Sequence, residues 1–126
     1  DRAGGSYERF LHDPSGPRWA SVERALDSIK RSADAHGIEL VLAVFPMMRD
    51  GARERPWSDY PLADLHVQVV NAATERGIRA IDLVDALSAT GATPEVAIYP
   101  DRHPTPRGHA VIGEAIAGYA VELLRD

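Results

Sequence analysis

The chain has no cysteine among its 126 residues. This absence excludes disulfides, zinc sites built on thiolates and a cysteine nucleophile. Long apolar runs are missing too: the longest, Leu40 to Met48, has nine residues, whereas a helix that spans a bilayer needs about 20. We therefore expect neither thiol chemistry nor a membrane span.

Clustered positive charge is also scarce. The formal net charge is -5 at pH 7, and the densest basic stretch, Arg49 to Arg55, is interrupted by Asp50 and Glu54. Proteins that bind nucleic acids need a clustered basic surface to contact phosphates. Gly-x-Gly-x-x-Gly and Walker patterns are absent from the sequence, so it contains no phosphate-binding motif. We expect no nucleic-acid partner and no cofactor.

What the chain does contain is a helix–glycine–strand pattern. Apolar residues from Trp19 to Ala33 recur at three- and four-residue steps, which predicts an amphipathic helix of about 18 residues. Gly37 follows, as glycine often does at the end of a helix. The apolar run Ile38 to Phe45 then predicts a buried strand of the kind found in parallel sheets.

The same pattern returns 40 residues later. Apolar positions from Leu62 to Ala73 predict a second helix, Gly77 ends it, and Ile78 to Leu83 predicts a second strand. Two such units are typical of an α/β fold with a parallel sheet.

The rest of the chain has weaker patterns. Residues 1–17 are rich in glycine, serine, aspartate and proline and are expected to form loops. Asp85 to Thr90 predicts a short helix, and Val96 to Tyr99 fits either a third strand or an extended loop. Apolar positions from Ile112 to Leu123 predict a final helix. Because a sheet has on average five or six strands, we expect residues 1–126 to be a single α/β domain that forms the C-terminal part of a larger one.

The clearest functional pattern lies between Tyr99 and His109. Asp101 precedes His103 by two residues on a proline-rich loop, and Thr105 and Pro106 suit the cap and first position of the following helix. A carboxylate beside an imidazole can orient it as general base and then general acid for a hydroxyl nucleophile. We predict these catalytic roles for His103 and Asp101. The competing interpretation is that His103 only ties the loop to the helix.

Other polar residues have less specific patterns. Asp82, after the second strand, is an alternative carboxylate for His103 or an N-cap for the next helix. His109 could share a metal with His103, but no third ligand has diagnostic spacing, so we expect no metal site and a packing or capping role for His109. The other histidines are expected to be structural or solvent-facing: His12, His36 and His66.

The connection from Met47 to Pro61 is much longer than the usual two to six residues. It holds Trp57 and Tyr60 among charged residues. Two interpretations stay open: a flap on the substrate side, or a surface insertion whose aromatic side chains cover the sheet edge.

The order of these elements, with His103-Pro104-Thr105 and Gly108-His109, resembles the C-terminal half of SGNH hydrolases, also called GDSL esterases or lipases. The resemblance implies a three-layer α/β/α fold with a parallel, flavodoxin-like sheet. It also implies ester hydrolysis or deacetylation through a serine acyl-enzyme, with His103 as the base. The family's aspartate stands three residues before the histidine, where this chain has Pro100, so Asp101 is the available acid.

The family's Gly-Asp-Ser nucleophile turn and its oxyanion-hole glycine and asparagine have no match here. Ser15 follows no apolar strand, and Asn71, the only asparagine, lies mid-helix. We therefore expect this chain to be inactive alone. It would supply the His–Asp loop of a serine-type ester hydrolase or deacetylase acting on a small-molecule or carbohydrate ester. An upstream segment or another chain would carry the nucleophile. The alternatives are an O-acetyltransferase of the same fold and a non-catalytic, flavodoxin-like binding module.

Overall fold

A computed structural model describes residues 6–48 and 51–125. It is mixed α/β, 61% helical, with a two-stranded parallel sheet, which confirms the α/β class predicted from the sequence. In chain order the elements are α1 (Ser6–Leu11), α2 (Pro17–Ala35), β1 (Val41–Val44), a 3-10 helix (Trp57–Asp59), α3 (Ala63–Glu75), β2 (Arg79–Asp82), α4 (Leu83–Ala89), α5 (Pro94–Ala97) and α6 (Pro106–Arg125).

The chain divides into two compact units. The first consists of Asp1–Leu42 with Pro61–Ile81, and the second of Ala43–Tyr60 with Asp82–Asp126. The segments with candidate site residues belong to the second unit: the connection after β1 as far as Tyr60, the turn at Asp82 and the loop that carries His103.

The first unit is built on the two helices that periodicity predicted. Both end where glycine adopts a left-handed backbone, Gly37 at φ 63° and Gly77 at φ 70°, as the sequence indicated. The helices share an apolar core with residues near the strands: Trp19, Leu26, Ala72, Ala73 and Ile78 are buried in it.

A polar contact adds to this core. The guanidinium of Arg76, the C-cap residue of α3, lies 2.7 Å from the Asp27 carboxylate of α2 and 3.5 Å from that of Glu23. Since α2 and α3 both belong to the first unit, this contact ties its two main helices together at their surface.

Three local predictions differ from the structure. Residues 6–11 were expected to be loop but form α1, which is held by distant contacts: Arg9 bonds the Asp64 carboxylate and the Pro61 carbonyl. Both strands have only four residues, and Ile38 and Phe45, at the ends of the first predicted strand, are largely exposed.

The third difference concerns residues 96–99, for which the sequence allowed a third strand or an extended loop: the first two residues are helical, and only the last two are extended. Val96 and Ala97 end the short helix α5, because Thr93 caps that helix and Pro94 occupies its first turn. Ile98 forms only an isolated antiparallel bridge with Pro104. Capping and proline placement outweigh the β-branched side chain of Val96 here.

In the second unit, α4 and α5 pack against α6, and the connection after β1 is anchored to the same unit. The Trp57 indole N–H donates to the Ala92 carbonyl at 2.6 Å, and the Tyr60 hydroxyl accepts from the Met47 N–H at 2.8 Å. Both aromatic side chains are buried, and burial raises the pKa of Tyr60 to about 12. These contacts fix the two aromatic side chains of the connection within the second unit.

None of the described helices has the combined length and apolarity that crossing a bilayer requires.

Candidate functional site

Asp101 and His103 lie on a tight hairpin between α5 and α6, which we call the His103 hairpin (residues 98–104). The Tyr99 N–H donates to the His103 carbonyl at 2.8 Å, and the Arg102 N–H donates to the Tyr99 carbonyl at 2.9 Å. These two bonds close a three-residue loop, a form whose last residue takes a left-handed backbone. Arg102 occupies that position at φ 78°.

The Asp101 carboxylate contacts His103 through both oxygens. Its Oδ1 accepts the His103 backbone N–H at 3.1 Å, and its Oδ2 lies 3.3 Å from His103 Nδ1. The backbone hydrogen bond, with a smaller contribution from the imidazole, lowers the pKa of Asp101. An ionised carboxylate at Nδ1 favours the tautomer protonated there and leaves Nε2 as the proton acceptor.

The pair is open to solvent. The side chains of His103 and Asp101 are 79% and 69% exposed, and no other described side chain bonds the imidazole. Water screens charges at such a site. The Asp101 carboxylate therefore orients the imidazole, and the exposure of the His103 side chain leaves room for a reacting group at Nε2.

The second end of the hairpin is fixed by the start of α6. Thr105 Oγ1 accepts the Gly108 N–H at 3.0 Å and donates to the Val96 carbonyl at 2.6 Å. The Thr105 N–H donates to the Ala97 carbonyl at 2.8 Å. Pro106 is the first helical residue, so both capping predictions are confirmed and the cap also links α6 to α5.

We expect Thr105→Val to lower the free energy of unfolding by about 1–2 kcal/mol, since it removes the N-cap and leaves the Val96 carbonyl without its hydroxyl donor. Urea denaturation measures the change. Thr74→Val is the matched control, because the Thr74 hydroxyl bonds only the Val70 carbonyl one turn earlier on exposed helix surface, and we expect a shift within about 0.5 kcal/mol. Equal effects of the two substitutions would contradict the role of the cap.

Asp82, the alternative carboxylate, has another role in the structure. Its Oδ1 accepts the Val84 N–H at 2.9 Å and caps α4. Of the two acids considered from the sequence, Asp101 is the one in contact with His103.

The remaining histidines have other surroundings. His109 is exposed on the first turn of α6, and His36 Nδ1 lies 2.8 Å from the Ser32 carbonyl at the end of α2. In the first unit His66 is buried, and burial, followed by the charge of His66, lowers the pKa of His12. No group of three histidine, aspartate or glutamate side chains in residues 6–48 and 51–125 could hold a metal ion.

Sequence reasoning missed Arg53. Its Nε donates to the Ile98 carbonyl at 2.6 Å and its Nη2 to the Glu95 carbonyl at 3.0 Å. These bonds join the connection after β1 to the last turn of α5 and the start of the His103 hairpin. They span more than 40 residues of sequence, so no local pattern could have indicated them.

Two of the cavities lined by described residues are relevant to the site. The larger, about 410 Å³, belongs to the first unit and is lined by residues of α2 and α3, including Trp19 and Asn71; it holds none of the predicted catalytic residues. The smaller, about 190 Å³, belongs to the second unit and adjoins the His103 hairpin through Tyr99, Pro100 and Arg102. Neither Asp101 nor His103 lines the smaller cavity, although it lies beside residues of their hairpin.

Comparison of the chain with protein-family models, curated proteins and solved structures gave no match.

Proposed function

We propose that this chain supplies the histidine and aspartate of a serine-type ester hydrolase or deacetylase of the SGNH type. In this proposal it forms the C-terminal part of a three-layer α/β/α domain with a flavodoxin-like parallel sheet. The observation that carries the proposal is the contact of Asp101 with both the backbone N–H and Nδ1 of His103. That contact orients the imidazole with Nε2 towards solvent-accessible space.

The chemistry follows from the two ring nitrogens. Nε2 of His103 would take the proton of a serine hydroxyl as its oxygen attacks the ester carbonyl, and would then return that proton to the leaving alcohol. Water attacks the acyl-enzyme in the second half, again with Nε2 as base. Asp101 would hold the Nδ1 proton and stabilise the imidazolium formed in each step.

The nucleophile would come from an upstream segment or another chain. In the described residues no serine hydroxyl bonds His103, and both catalytic side chains are open to solvent. Partial exposure of the sheet also supports a larger domain: every residue of β1 is only half-buried, and Phe45 and Met47 after it are 53% and 49% exposed. Parallel sheets are usually covered on both faces.

Fluorophosphonate labelling of a longer protein that contains this chain tests the proposal. We expect one label per molecule by intact mass, lost in His103→Ala, and no label on residues 1–126 alone. No label on the folded wild-type protein would refute the hydrolase. A label added equally fast to His103→Ala would refute the role of His103, and a His103-dependent label on residues 1–126 would refute an external nucleophile.

A further inference from the structure

Helix α6 is apolar on two sides. The inner side packs on α4 and α5 and contains the buried residues of the helix, Gly108, Val111 and Ile112. The other side is exposed, and we call it the outer face of α6. It consists of six uncharged residues: Gly113, Ile116, Ala117, Ala120, Val121 and Leu124. Their spacing of three and four residues places all six on one side of the helix.

The outer face of α6 leaves large apolar side chains in water. Leu124 is 88% exposed, Val121 46% and Ile116 38%. A Cβ at Gly113 would meet nothing within 4 Å, so the space above this glycine is open. Single apolar residues are common on protein surfaces, but a contiguous apolar strip is typical of a protein–protein contact.

The sizes of the side chains along this face match the same face in reverse order. When a second copy of α6 lies antiparallel, with a twofold axis at the 118–119 peptide, Gly113 lies opposite Leu124 of the second copy. The largest side chain then fills the space above the smallest, as a knob fills a hole between packed helices. The other pairs across the axis are Ile116 with Val121 and Ala117 with Ala120.

Two charged residues beside the outer face fit the same arrangement. Glu114 and Arg125 lie along one edge of the face, and the antiparallel register brings each of them near the other residue of the second copy. Within one copy they are about 16 Å apart along the helix, so they cannot pair with each other there. Neither side chain has an ion pair in the part of the chain that the structure describes. The face is therefore complementary to itself in charge as well as in size.

We propose that the outer face of α6 is the contact of a symmetric homodimer, in which α6 packs antiparallel to α6 of a second copy. The twofold symmetry closes the contact, so that association stops at the dimer. Three helical turns bury less surface than the roughly 1,600 Å² of a standard interface, and we expect a dissociation constant on the order of 0.1 mM. This inference goes beyond the proposed function and does not depend on it, since neither Asp101 nor His103 takes part in the contact.

Sedimentation equilibrium of the 126-residue chain at concentrations from about 10 µM to about 1 mM tests the dimer. We expect the average mass to rise with concentration towards twice that of the monomer. Leu124→Lys, which adds a charge to the contact, should remain monomeric. Val96→Lys is the matched control, because it places the same charge on a 52% exposed apolar residue of α5 and should associate like the wild type. A monomeric wild-type chain at about 1 mM, or equal association of the two variants, would refute the contact.

Exchange of the two charges tests the antiparallel register and keeps the test decisive if Leu124→Lys does not fold. Glu114→Arg and Arg125→Glu should each raise the dissociation constant at least about tenfold, because each turns two attractive pairs into repulsive ones. The double variant restores opposite charges and should return to within about threefold of the wild type. A double variant that associates as weakly as the single ones, with an unchanged Tm of the monomer, would show that the helices do not pair in this register.

Discussion

Gly108→Ala should lower the free energy of unfolding by about 2–3 kcal/mol, because overpacking and a weakened hydrogen bond outweigh the gain in helix propensity. A Cβ at this position would stand 2.1 Å from the Ala97 carbonyl oxygen and 3.0 Å from its carbon. Because these are backbone atoms, relief requires α5 and α6 to separate. That separation would stretch the Thr105 N–H bond to the same carbonyl. The higher helix propensity of alanine, about 1 kcal/mol, offsets only part of the loss.

Two glycines of the same helix are matched controls. A Cβ at Gly113 or Gly118 would meet nothing within 4 Å, so alanine there should stabilise the chain by about 0.5–1 kcal/mol through helix propensity. Urea midpoints and Tm measure all three variants, and for Gly108→Ala we expect Tm to fall by roughly 10 °C. A Gly108→Ala variant as stable as Gly113→Ala would mean that α5 and α6 are not in the close contact described.

The helices of the first unit could be predicted because their signals are local. A helix is indicated by apolar residues at three- and four-residue steps, and its end by glycine, and both signals lie within the segment that folds. Gly37 and Gly77 have the left-handed backbone that this interpretation requires. The N-terminal cap of α6 has the same character, since Thr105 bonds a backbone N–H only three residues away.

Elements that depend on distant contacts could not be predicted. Helix α1 has a loop-like composition, and its Arg9 finds partners more than 50 residues away. Arg53 likewise reaches α5 across the sequence. Helix propensity is a property of the segment alone. These segments owe their structure to tertiary contacts, which a single sequence does not reveal.

The Asp101–His103 pair could be predicted because it is also local. An aspartate readily bonds the backbone N–H two residues on, and Asp101 does so with His103, which brings its second oxygen near Nδ1. The sequence left Asp82 as an alternative, and only the fold separates the two acids. The left-handed backbone of Arg102 had no signal, since arginine is not a residue expected at that position.

In the proposed hydrolase, His103→Ala should lower the rate of acyl transfer by roughly 10⁴-fold or more, because no other group would take the nucleophile's proton. The substitution should leave stability within about 0.5 kcal/mol, since the imidazole is 79% exposed and its backbone N–H still bonds Asp101. Burst kinetics with an activated ester, together with urea denaturation, give both values. A non-catalytic binding module predicts no change in any turnover.

Two variants of neighbouring residues distinguish a catalytic Asp101–His103 pair from a loop whose histidines contribute only positive charge. His109→Gln changes an exposed histidine on the same segment and should leave the rate unchanged. Asp101→Asn should lower it by about 10- to 100-fold, because the amide can still accept the His103 N–H but cannot stabilise the imidazolium. Solvent screening at this exposed site limits that loss.

An Asp101→Asn rate as low as that of His103→Ala would therefore mean that the active protein encloses the pair, so that its charges interact without water. An unchanged rate would mean that Asp101 bonds the loop backbone and takes no part in catalysis.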